Sequence, residues 1–208
     1  MISYLRNNEI DRKRWDACLM EISAAKPYAM SWYLDIVSPG WEALVDDDYY
    51  AVFPLPCRKK FGISYIATPL FLQQLGLFTA DGDRKRMAEE FISFMPGFFR
   101  LVDLCIGQEV SVPGYSLTPK FNYELKLDDT YEKVWVSYMT DCRRNINIAR
   151  RYPQEIVEDP VPEELISLFL THTARRAGVT GKSSYVSLRA LMEHCISAGL
   201  GRILGVRS

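Results

Sequence analysis

The chain has 208 residues, 48% hydrophobic and 25% charged, with a formal net charge of −1. That composition excludes a disordered chain and supplies enough apolar residues for a sizeable core in one domain or a domain and a half. A charge so near zero gives no general pull toward nucleic acid or anionic lipid, so any anion site must come from local basic clusters.

The first nine residues lack the apolar run of a secretion signal, and no apolar run anywhere is long enough to span a bilayer. Residues 9–22 read as an amphipathic helix, with Ile10, Trp15, Leu19 and Ile22 near helical spacing. Ser31–Val37 reads as a short second helix, stopped by Ser38-Pro39-Gly40. Aromatic and β-branched residues between clusters of Asp, Lys and Gly then predict antiparallel hairpins. Residues 41–45 form one strand and Asp46-Asp47-Asp48 the turn; 49–58 return, 59–62 turn again, and 63–68 form the next strand. A Gln73-Gln74-Leu75-Gly76 turn follows.

Asp83 can cap a helix running to about Phe94, which Pro96-Gly97 ends. Val102, Leu104 and Ile106 alternate along a predicted strand at 100–106, and 121–127 is read as another. Residues 130–151 read as one long helix or two joined helices, with Trp135, Tyr138, Met139, Cys142, Ile146 and Ala149 as a continuous stripe. Pro162 suits the first turn of a helix to about Arg176, and a further helix covers 187–198 with Gly199 past its end. Residues 201–208 resemble a strand just begun, whose unpaired edge offers a route to a homodimer. The expected organisation is a first module at 1–127, a connecting basic helix at 128–155 and the incomplete start of a second module at 156–208. On that expectation the chain is an inactive N-terminal part of a longer protein. A weak echo of strand–helix–helix–strand order links the two halves.

The hairpin segment carries a resemblance. Pro54, Leu55 and Pro56, the basic Arg58, Lys59 and Lys60, then Gly62, Tyr65, Pro69, Phe71, Gln73, Gln74, Leu75 and Gly76 are similar to the FemAB-like acyltransferases. Ser31-Trp32-Tyr33-Leu34 resembles that family's helix before the first hairpin. Arg143-Arg144-Asn145-Ile146 with Ala149 resembles its basic helix between tandem modules. The resemblance covers most of residues 1–151. It implies an α/β (α+β) fold of the GNAT kind: a mixed, mainly antiparallel sheet flanked by helices, followed by the start of a second such module. It implies transfer of an acyl or aminoacyl group to an amine, with acyl-CoA or aminoacyl-tRNA as donor and a small-molecule or nucleotide-linked cell-wall precursor as acceptor.

Candidate site residues follow. Arg143, Arg144, Arg150 and Arg151 lie off the apolar stripe, as a phosphate-holding cluster or as a solvated helix face. The resemblance sets this helix beside the acceptor cleft, and adds Trp32, Gln74 and Tyr138 as cleft walls that could equally be half-buried core. Arg58, Lys59, Lys60 and Lys26 form a second basic patch, which any hairpin tip can show. Arg175-Arg176-Ala177-Gly178-Val179-Thr180 departs from the pyrophosphate-binding pattern of acetyl-CoA enzymes at Thr180, and Arg202-x-x-Gly205 fails it too. His172 and His194 have no metal-ligand spacing, and the three consecutive aspartates read as a solvated turn. Five scattered cysteines without a Cys-x-x-Cys pair fit a reduced, cytoplasmic protein. No residue stands out as a general base. The alternative is a non-catalytic module that binds a ligand or a partner chain, without membrane insertion.

Overall fold

The computed structural model describes residues 1–22, 26–46, 48–80, 82–124, 130–153, 155–158, 161–173 and 182–207. They form a mixed α/β architecture whose chain divides into two compact units, 1–116 with 178–191, and 117–177 with 192–208. Among the described residues, no helix is long and apolar enough to cross a membrane.

The first unit begins with a strand, β1 (Ser3–Leu5), that the sequence reading did not contain. Helix α1 (Arg12–Glu21) starts three residues later than expected, because the Asp11 carboxylate accepts from the N–H groups of Lys13 and Arg14 and fixes the cap there. Its Trp15 and Leu19 are fully buried, and the Trp15 indole donates to the Ala29 carbonyl at 3.0 Å while lying 4.7 Å edge-on from Trp41. Each such ring removes about 150–250 Å² from water, roughly 4–6 kcal/mol of gross stabilisation. Helix α2 (Ser31–Val37) is capped from a distance: the Asp16 carboxylate accepts from Ser31 N and Oγ at 2.8 and 2.6 Å.

Strands β2 (Glu42–Val45) and β3 (Ala51–Leu55) form the expected hairpin. The expected strand at 49–58 is in fact two. Pro56 has no N–H to donate, and beyond it β4 (Cys57–Lys60) leaves for another sheet, where it pairs with β5 (Ile63–Ala67). One sheet has the order β1-β2-β3-β6, with β6 at Phe78–Thr79; the other is β4-β5-β7, with β7 at Val102–Asp103 parallel to β5. The predicted strand at 100–106 is thus shortened to two residues plus an isolated bridge between Ile106 and Leu75.

The two-residue period sorts the core. Ala43, Val45 and Val52 face α1 and α2 in one cluster with Trp15, Leu34 and Trp41. Leu44, Ala51, Phe53 and Leu55 face the other way, toward α3 (Arg84–Ser93), whose Ala88, Phe91 and Ile92 complete a second cluster. Both faces of β3 are covered, which is why its sequence is a continuous apolar run rather than an alternation.

In the second unit, residues 121–124 form no strand, with Phe121 95% exposed; 125–127 lie outside the described residues. The predicted long helix is α4 (Tyr131–Ser137) and α5 (Thr140–Ala149). Tyr138 and Met139 between them are extended, which changes the phase of the second helix, so Met139, Cys142 and Ala149 are exposed and the expected stripe is broken. The C-terminal strand β9 (Leu204–Arg207) is not unpaired, as expected, but antiparallel to β8 (Glu155–Glu158). Helix α6 (Pro162–His172) carries Pro162 at its start. Helix α7 (Lys182–Ser197) begins five residues earlier than read and ends before Gly199, whose φ is +66°.

Candidate functional site

The most unusual geometry of the first unit lies where β5 ends. Its parallel ladder with β7 continues past Ala67: the N–H of Thr68 donates to the Asp103 carbonyl, and Cys105 N–H donates to Thr68 Oγ1, both at 2.9 Å. The chain then leaves the ladder and returns to the same neighbouring segment at Leu75. There Leu75 N–H donates to Cys105 O at 2.8 Å and Gly107 N–H to Leu75 O at 3.0 Å. Residues 69–74 are therefore looped out of an otherwise continuous parallel strand. Carboxyl ends of parallel strands are where α/β sheets place ligands.

The loop is held in a costly conformation. Phe71 has a φ of +65°, rarely adopted by a bulky residue. Its carbonyl accepts the Tyr33 hydroxyl of α2, and Trp32 meets the Tyr33 ring edge-on at 5.3 Å. Leu72 and Leu75 are buried, whereas Leu70 and Gln73 are exposed and Gln74 is half-buried. Gly76 follows at φ +117°, and a Cβ there would stand 2.1 Å from Gln108 Oε1. That amide cannot move freely: Gln108 Nε2 donates to Leu77 O at 2.7 Å, and Leu77 N–H donates back to Oε1 at 3.2 Å. A side chain here replaces a strand neighbour. The Gln74 amide lies against Gly107, 3.4 Å from where its Cβ would be.

Of the five sequence-predicted site residues, Trp32 and Gln74 thus belong to the first unit and Tyr138, Arg143 and Arg144 to the second. In the second unit Arg144 lies 3.5 Å from Asp141, and Arg143 is half-buried. Tyr138 contacts the Trp135 ring at 6.0 Å, and Arg150 is engaged by aromatic groups: its guanidinium lies 5.2 Å from the Trp135 centroid and donates to Tyr131 Oη at 3.2 Å. Arg202 pairs with Glu158 at 3.6 Å, while the Arg175–Thr180 stretch lies outside the described residues.

The sequence reading missed one polar cluster. Glu42 Oε2 accepts from the Tyr4 hydroxyl and from Cys57 Sγ, the latter at 3.2 Å. Burial, then the hydrogen bond to Glu42, pushes the Cys57 thiol far above its ordinary range, and the Tyr4 phenol rises for the same causes. The three residues come from β1, β2 and β4, so no local spacing could reveal them. Asp46, expected in a solvated turn, accepts from Ala51 N–H at 3.1 Å, Asp48 lies 3.4 Å from Arg14, and Asp47 lies outside the described residues. Among the described residues no group of three or more His, Cys, Asp or Glu is placed to hold a metal ion. Comparison with family models, curated proteins and solved structures found no match for this chain.

Proposed function

We propose that the chain forms part of a FemAB-like, GNAT-fold acyltransferase that joins an acyl or aminoacyl group to an amine. One observation carries this reading. A strand–helix–helix–strand unit occurs twice, as β1-α1-α2-β2 and as β8-α6-α7-β9, and in both the outer strands pair antiparallel, with Leu5 opposite Ala43 and Val157 opposite Gly205. A tandem of such units is what the resemblance implies. The looped-out strand beside Trp32 and Gln74 adds a built surface for an acyl or acceptor group.

In this reaction the amine nitrogen attacks the acyl carbonyl carbon, a C–N bond forms, and the thiol of CoA or the terminal hydroxyl of a tRNA leaves. The amine proton passes to solvent or to the leaving group. Positioning and backbone N–H groups aimed at the oxyanion supply the rate enhancement. Within the first unit Trp32 and Gln74 are the residues assigned to wall an acyl or acceptor group; within the second, Tyr138 is assigned as a wall and Arg143 and Arg144 to a phosphate. Five free cysteines fit a reducing compartment, and we place the protein in the cytoplasm.

The test is calorimetric and thermal-shift binding of acyl-CoAs, uridine-nucleotide-linked cell-wall precursors and phosphosugars, with Arg143→Ala, Arg144→Ala and Gln74→Ala controls. Stabilisation by one class that disappears in these variants supports the transferase. Absence of binding by every class removes it. A second reading, a non-catalytic module that docks a partner or a second copy, draws on the exposed Ile156, Leu204 and Val206 of the β8–β9 pair. A concentration-dependent mass in sedimentation would favour it.

A further inference from the structure

The β4–β5 hairpin turns through Phe61-Gly62, with φ values of +50° and +77°. Two successive positive φ values suit the right-handed twist of a hairpin, and Asn, Asp or Gly is the ordinary first residue. Phenylalanine there is conformationally strained. The core does not use its ring, which is 92% exposed and lies 5.4 Å from the Lys60 ammonium.

Register decides what accompanies the ring. Cys57, Ile66 and Val102 turn into the second core cluster, so Arg58, Lys60, Ile63, Tyr65 and Leu101 occupy the opposite face. On that face Ile63 is 53% and Leu101 59% exposed. Lys59, opposite Ser64 near the turn, and Arg100, whose N–H donates to Ser64 O at 3.1 Å, fall on the other face by the same alternation, so the hairpin tip carries two cations on each side. All four cations are exposed, and among the described residues none of them forms an ion pair. Asp103 pairs with Ala67, at the end of the strand away from the turn.

We infer that this hairpin tip docks peripherally on an anionic lipid bilayer. Phe61 enters the interfacial layer end-on with Ile63 and Leu101 at its margin, and Arg58 and Lys60 from one face and Lys59 and Arg100 from the other meet the phosphates and acidic headgroups. A projecting apolar apex backed by cations is complementary to such a surface in both polarity and charge. A single-stranded nucleic acid calls instead for successive stacking rings along a basic groove, and this two-residue turn presents the one ring of Phe61. The contact spans nothing and is reversible, and it is independent of the acyltransfer reading.

The experiment is co-sedimentation of the full chain with vesicles of phosphatidylcholine alone or mixed with phosphatidylserine, at low and high salt. Each cation near the anionic surface contributes about fivefold in partitioning, so the four together give a preference of roughly several hundredfold for the acidic vesicles. High salt abolishes it. Phe61→Asn suits the turn and keeps the hairpin folded, yet weakens binding about tenfold. Lys59→Glu with Lys60→Glu removes binding. Phe61→Trp reports insertion directly, through a blue-shifted emission on acidic vesicles only. No sedimentation of the wild-type chain with acidic vesicles overturns the inference, as does binding that ignores both variants. Retention of a single-stranded RNA oligonucleotide, sensitive to these same substitutions and without vesicle binding, overturns it in favour of nucleic acid.

Discussion

Replacing Gly76 by alanine tests the looped-out strand where its geometry is tightest. Two penalties combine. The backbone at φ +117° is a region that side chains rarely adopt, costing about 1–3 kcal/mol. The new Cβ would also sit 2.1 Å from Gln108 Oε1, so the amide must leave and both of its hydrogen bonds to Leu77 are lost. Each such bond contributes about 1 kcal/mol, giving a total of about 4 kcal/mol for Gly76→Ala. Urea denaturation of Gly76→Ala, Gln108→Ala and the double variant separates the parts. Gln108→Ala alone should cost about 2 kcal/mol, from the same two bonds. The double variant should then cost about 4 rather than about 6 kcal/mol, since the clash has no target once Gln108 is gone. Additive losses, or a Gly76→Ala cost below about 1 kcal/mol, would refute the arrangement.

Asp16→Ala should destabilise the first unit by about 2 kcal/mol in the same assay, because Ser31 N–H and Oγ at the start of α2 lose their carboxylate acceptor while Ser31 remains buried. Asp35 is held below the ordinary carboxylate range: burial opposes ionisation, but the hydrogen bonds from Arg12 and Trp41 outweigh it. Its contribution is therefore complete above about pH 4 and fades as acid takes the pH down through the lowered value, and Asp35→Asn should flatten that part of an acid titration of stability. Burial, with Asp46 and Glu21 nearby, pushes the Cys18 thiol up to about 11. The folded form keeps its proton longer than the unfolded one, so this contribution is whole below about pH 8.5 and is lost as pH rises through about 11; Cys18→Ala should remove it from an alkaline melt series. Thiol labelling at mild alkaline pH should modify exposed Cys142 first and Cys57 last, read by mass spectrometry of timed samples.

What the sequence made legible was local. Asp83 does cap α3, accepting from Arg86 N–H, Pro162 does open α6, and Gly62 does sit at a hairpin turn with positive φ. These signals act within a few residues. Ser3–Leu5 and Glu155–Glu158 were missed because three or four residues flanked by polar ones have too little pattern, and each is fixed only by its distant ladder partner. The division at Pro56 was visible as a proline but not as a change of sheet, which depends on the strands that receive β4. Trp32 and the Gln73–Gly76 turn lie in the part of the first unit where the strand is looped out. The excursion at 69–74 is defined by two separate pairings with one neighbouring segment, and so has no signature of its own. Tyr4, Glu42 and Cys57 meet across separations of 38 and 15 residues, beyond the reach of any spacing argument.

The first unit draws on two separated stretches, and Leu191 lies in its first core cluster beside residues of α1 and α2. Order of synthesis therefore matters. A nascent chain emerges from the ribosome with the strands and helices of 1–116 long before the residue that completes their packing. Until Leu191 appears, the apolar surface it covers is open to water, to neighbouring chains on the same message and to holdase chaperones. Slowing or pausing translation between residues 116 and 191 should accordingly lower the soluble yield, whereas a pause after 191 should not.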